Sequence, residues 1–136
     1  MKGIAVKIAA IILGVTLSIS SICMLPTNGQ AKAKAKPKSM YVTATAYTDT
    51  CEGCTGITKI GINLRKNPYK KVIAVDTKVI PLNSIVYVKG YGLAIAGDIG
   101  GAIKGRKIDV YMRTNKQAIN WGRRQHVKVT IQSYYK

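Results

Sequence analysis

The chain has 136 residues, with 22 Lys and Arg against five Asp and Glu and a formal net charge of +17. That length holds one domain of ordinary size, and charge of this sign and size draws polyanions as partners. No helix-turn-helix, zinc-finger or aromatic RNA-binding motif is present, which leaves nucleic acid only as an unspecific, charge-driven alternative.

Residues 1–33 have a short basic start (Lys2, Lys7), an uncharged run from Ile8 to Gln30, and the small-residue exit Ala31-Lys32-Ala33. This is the three-part layout of a secretory signal peptide. The alternative is an uncleaved membrane anchor, the only route by which the chain would meet a membrane. Cleavage removes Lys2, Lys7 and Lys32 from the 22 basic residues, taking the net charge from +17 to +14. A secreted protein so charged meets phosphate-rich or carboxylate-rich wall polymers. The run "AKAKAKPKS" from Ala31 to Ser39 is basic and without apolar periodicity, and residues 34–40 read as a basic linker.

The folded part is expected over 41–136. "YVTATAYT" alternates large and small residues as a half-buried strand does. The following loop, "DTCEGCTGITKIGINL", is broken by Gly53, Gly56 and Gly61. Export makes a disulfide the expected state of Cys51 and Cys54, with metal or redox chemistry as the alternative. "VIAVD" is a short apolar strand, "SIVYV" follows a turn at Pro81 to Ser84, and "LAIAGD" and "KIDVYM" come next. "TNKQAINWG" carries Thr114 as N-cap, Gln117 at the capping-box position and Gly122 as C-cap, which predicts one short helix. "VKVTIQS" closes the chain as a strand. Six short strands, one helix and no helix between successive strands favour a mainly β, closed or nearly closed barrel, with Trp121 in its core. "IAVD" and "IAGD" resemble each other loosely.

Few groups can act as acid or base. Asp49 and Glu52 sit in a polar loop, where carboxylates are usually solvated. Asp76 ends "VIAVD", Asp98 ends "LAIAGD" and Asp109 lies within "KIDVYM". Each taken alone reads as a turn cap; three such placements in a chain so poor in acid suggest a shared site. Convergence would raise at least one carboxyl pKa through repulsion and desolvation, against the pull of Lys104, Arg106 and Lys107. Gly97, Gly100, Gly101 and Gly105 permit positive φ and close backbone approach by a bound polymer.

"TATAYT", "CEGCTGITKIGINL", "VIAVDTKVIPLNSIVYV", "IAGDIGGAIKGRKIDVY" and "HVKVTI", in this order over residues 41–132, resemble the 3D domain, named for three aspartates. Its most specific part is the "GDIGGAIKG" to "IDVY" block. Lys59-Ile60 departs from the pattern, standing where the family more often has small or hydroxyl residues. The resemblance implies a six-stranded double-psi β-barrel and a secreted, cofactor-free lytic transglycosylase acting on peptidoglycan glycan strands. It assigns Asp109 as acid/base and Asp98 and Asp76 as partners that orient the sugar or stabilise positive charge. Gly100, Gly101, Lys104, Tyr47 and Thr55 are the substrate-binding candidates. A different class is also open: a non-catalytic barrel that binds wall polysaccharide.

Overall fold

The computed structural model of the chain describes residues 38–50 and 53–134. The expected signal peptide, residues 34–37 of the expected linker, Cys51 and Glu52 lie outside the described residues. The elements are β1 (Lys38–Tyr47), β2 (Val72–Ala74), β3 (Ser84–Val88), β4 (Gly92–Asp98), β5 (Lys107–Tyr111), α1 (Asn115–Trp121) and β6 (Arg124–Tyr134). The strands close into one barrel in the order β1-β5-β2-β4-β3-β6. Mainly β, six strands and a single short helix are what the alternation and the cap signals predict.

Alternation decides which side chains fill the barrel. Met40, Val42 and Ala44 of β1, Ile108 and Val110 of β5, and Val86 and Val88 of β3 point inward and pack in one cluster with Ile73 and Trp121. β1 begins at Lys38, earlier than a linker running to residue 40 allows. Lys38, Ser39 and Met40 pair with Ile131, Thr130 and Val129 of β6. The backbone ladder and the burial of Met40 hold this end, while Lys38 and Ser39 stay exposed. Thr114 caps α1, its hydroxyl accepting from the backbone N–H of Gln117 at 3.2 Å. The helix seats Trp121 in the core, with the Arg124 guanidinium 3.9 Å from the ring centroid on the outer side.

Two of the strand pairs are parallel: β1 beside β5, and β2 beside β4. The second sets the look-alike runs "IAVD" and "IAGD" side by side, with Ile73 opposite Ala96 and Ala74 opposite Asp98. One residue of β4, Gly97, is therefore bulged out of the register. Ala94 and Ala96 face the core, so strict alternation would send Asp98 inward as well. The bulge turns it to the outside instead. A side chain at 97 would meet Ile60 and Val72 at 3.0–3.2 Å, which explains glycine there.

β2 is buried on both faces. Its outer side, Val72, packs with Leu64 and Tyr111 in a second small cluster, flanked by Tyr47 and Ile62. The segment 56–70 thus covers the outer wall of the barrel beside the ends of β1, β2 and β5. Ile73, fully buried at the barrel centre, is the sharper test of the core. Ile73→Ala should lower the unfolding free energy by about 2–5 kcal/mol, and Thr114→Ala by only about 1 kcal/mol, both read from urea titrations.

Candidate functional site: an acid-bearing cleft on the barrel wall

Strand order and register place four residues in one row across the barrel wall. Thr45 of β1 faces Asp109 of β5, Asp109 faces Ala74 of β2, and Ala74 faces Asp98 of β4. Neighbouring strands are roughly 5 Å apart, so the backbones of Asp109 and Asp98 are separated by roughly 10 Å, with only a methyl group between them. Above this row lies a cleft of about 380 Å³, lined by Tyr47, Asp49, Thr55, Ala74, Asp98 and Asp109 among others.

The two carboxylates have different surroundings. Asp109 is half-buried, and its Oδ1 accepts the Thr45 hydroxyl at 2.8 Å. Desolvation pushes its carboxyl above the ordinary carboxylate range, and the charge of Asp98 pushes the same way. The Thr45 hydrogen bond and Lys107 pull it down without cancelling the rise. Asp98 is held by three donors: the backbone N–H of Lys59 at 3.1 Å and of Ile99 at 2.9 Å on Oδ1, and the Tyr47 hydroxyl at 3.2 Å on Oδ2. Burial and the nearby Asp98 charge raise the Tyr47 phenol, so Tyr47 stays protonated and donates.

Asp76 is not in this cleft. It lines a neighbouring depression with Gly101 and Lys104, while Gly100 borders both. Its Oδ1 accepts from Lys78 N at 3.0 Å and its Oδ2 from Gly105 N at 2.7 Å. Those two backbone bonds hold its carboxyl below the ordinary range. Asp76 therefore ties the turn after β2 to the glycine-rich segment before β5. Gly105 has φ +61°, where glycine is favoured, but Gly97, Gly100 and Gly101 do not adopt positive φ. In them the missing side chain serves close packing or exposure, not unusual backbone geometry.

The third acid of the cleft is Asp49, which loop composition places in solvent. It is buried, 9% exposed. The Tyr111 hydroxyl donates to its Oδ1 at 3.4 Å, and Arg65 donates to its backbone oxygen at 3.3 Å and to that of Cys54 at 2.8 Å. The tyrosine rings of Tyr111 and Tyr47 meet at 5.7 Å. No sequence signal separates Asp49 from a solvated loop carboxylate. Its burial comes from segment 56–70 closing over it. Thr55 lines the same wall, its hydroxyl accepting from Ile57 N at 3.2 Å. The Cys51–Cys54 pairing falls on Cys51, outside the described residues. Lys59 contributes its backbone N–H to Asp98, and Ile60 packs on Gly97. The unusual pair thus lies directly under the cleft.

A small closed barrel carrying two rigidly held carboxylates in an outer cleft defines the class. Residues 71–133 match the family model of the 3D domain. Three curated proteins of Bacillus subtilis (strain 168) are similar to it. The cell wall-binding protein YocH is 56% identical over 96 residues, covering 71% of this chain and 32% of that protein. YabE, named for cell wall shaping, is 55% identical over 94 residues, covering 69% and 23%. The SPbeta prophage-derived uncharacterized protein YorM is 45% identical over 94 residues, covering 64% and 40%. The chain thus spans well under half the length of these relatives.

The Thr45 hydroxyl supplies the side-chain hydrogen bond that pulls Asp109 down. Thr45→Val keeps the shape and removes it, so the Asp109 carboxyl should titrate at higher pH than in wild type. Carbon-detected NMR of the side-chain carboxyl group reads this directly; an unchanged midpoint would show that Thr45 does not tune Asp109.

Proposed function

We propose that the protein is a secreted lytic transglycosylase that cleaves peptidoglycan glycan strands at the cell wall. The observation that carries this reading is the pairing of unlike carboxyl groups in one cleft. Asp109 is desolvated and raised, and Asp98 is held by three hydrogen-bond donors. The raised carboxyl of Asp109 suits it to be the acid, and the position of Asp98 across the cleft suits it to face developing positive charge. The wall-related names of YocH and YabE support the substrate class.

In this mechanism Asp109 protonates the oxygen joining N-acetylmuramic acid to N-acetylglucosamine, and the bond from that oxygen to the muramic anomeric carbon breaks. Asp98 stabilises the positive charge that develops at that carbon. Asp109, now ionised, accepts the proton of the muramic 6-hydroxyl, whose oxygen bonds to the anomeric carbon and closes a 1,6-anhydro ring. The proton returns to Asp109, no water is consumed, and no metal or cofactor enters the scheme. In this reading residues 1–33 are the export signal, and a Cys51–Cys54 disulfide stiffens the cleft wall beside Thr55.

Purified protein incubated with peptidoglycan should release 1,6-anhydromuropeptides detectable by mass spectrometry. Asp109→Asn should cut their yield by about 10²-fold or more. A second reading, favoured by the name of YocH, is a barrel that binds wall polymer without cleaving it. It predicts sedimentation with peptidoglycan and no released fragment from any variant.

A further inference from the structure

The outer face of β1 does not end at the cleft. Side chains two apart on a strand share a face, roughly 7 Å from one another, and on β1 the outward series is Tyr47, Thr45, Thr43, Tyr41 and Ser39. Between them Val42, Ala44 and Met40 are buried in the core. The register gives each outward residue a neighbour. Tyr47 lies beside Tyr111, Thr45 beside Asp109 and Thr43 beside Lys107 on β5; Tyr41 lies beside Lys128 and Ser39 beside Thr130 on β6. One strand further, Thr130 faces Tyr87 of β3, and the N–H of Lys89 donates to the Lys128 carbonyl.

Within two outward steps of Thr45, the neighbour of Asp109, the surface changes character. Tyr41 is 57% exposed and Tyr87 45%. Lys128, Lys89 and Arg106 are exposed with them, and Arg106, Tyr41 and His126 border a shallow hollow of about 160 Å³. No described carboxylate lies on this face: Asp49, Asp98 and Asp109 line the cleft, and Asp76 lines the depression beside it. The described carboxylates thus lie at or beside the Tyr47 end of β1, and the Ser39 end carries cations without them.

We infer that the outer face of β1, from Thr43 to Ser39 with Lys128 and Arg106 at its sides, is a track that extends the cleft and binds the carboxylate-bearing part of the glycan strand. A linear polymer with one sugar at Asp109 and its chain along β1 meets cations and two exposed tyrosines within the next two steps of roughly 7 Å. The free carboxylates of the peptide stems complement those cations, and tyrosine faces suit the apolar faces of sugar rings. A strand stripped of its stems keeps one lactyl carboxylate per repeat, close to the sugar, and so offers those cations fewer charges. The assignment rests on the proposed glycan substrate, and it specifies the substrate further: strands that carry their acidic peptide stems are preferred.

The test is equilibrium binding of soluble, fluorescently labelled glycan strands, with and without their peptide stems. It uses the full chain carrying Asp109→Asn, so that strands stay intact. The expected result is tighter binding of peptide-bearing strands, a preference that shrinks as salt rises. Adding Lys128→Gln and Arg106→Gln, both on exposed side chains, should weaken peptide-bearing strands about tenfold and stripped strands, which keep only their lactyl carboxylates, by about threefold or less. Equal affinity for the two strands, or equal losses in the variant, overturns the track. The two proposals fail separately: a preserved preference without anhydro products removes the transglycosylase, and products without a preference remove only the track.

Discussion

The arrangement that the rest of the site depends on is the row Thr45, Asp109, Ala74, Asp98 across four neighbouring strands. β5 and β4 do not touch; β2 lies between them and contributes only a methyl group at this level. A larger residue at 74 would fill the space between the carboxylates, and its absence would break the ladder that spaces them. Because the row is built on paired strands and not on loops, both acids are held by the same hydrogen bonds that close the barrel. The difference between them is then set locally. Asp109 loses water and receives one hydroxyl, whereas Asp98 receives two backbone N–H groups and a phenol.

The bulge at Gly97 and the small outer cluster are the two devices that complete the row. Without the bulge, Asp98 would share the inward parity of Ala94 and Ala96, and an unpaired carboxylate in an apolar barrel is prohibitively costly. The cluster of Leu64, Val72 and Tyr111 anchors segment 56–70 on the barrel wall. That segment supplies the Lys59 N–H to Asp98, seats Ile60 on the bulge, and with Arg65 clamps the wall that carries Asp49 and Thr55. Packing on the outside of a barrel thereby produces a partly dehydrated cleft in a domain too small to enclose one.

Much of this was legible in the sequence, and the limits follow physical lines. Strands and helix were readable because alternation and the Thr114 to Gly122 caps are local signals. The prominence of Asp98 and Asp109 was readable because acids are rare here and stand in apolar strands. Asp76 carries the same sequence signature, yet its carboxyl group closes a turn onto Gly105, since the strand ends at Ala74 and the chain bends before it. Asp49 was hidden for the converse reason: its burial depends on Arg65 and Tyr111, which are 16 and 62 residues away. Ala74 carries no chemistry and gains its role only from strand order, as does Gly97, whose close neighbours Ile60 and Val72 come from other segments.

The coupling of the two carboxyl groups is the central claim, and a pH profile of 1,6-anhydromuropeptide release tests it most directly. In the proposed mechanism Asp109 starts protonated, so release should fall as pH rises through its raised pKa. The Asp98 charge contributes to that rise, so in Asp98→Asn the surviving activity should lose its alkaline limb at lower pH than wild type. An alkaline limb that stays in place in Asp98→Asn, or that moves to higher pH, would contradict the account.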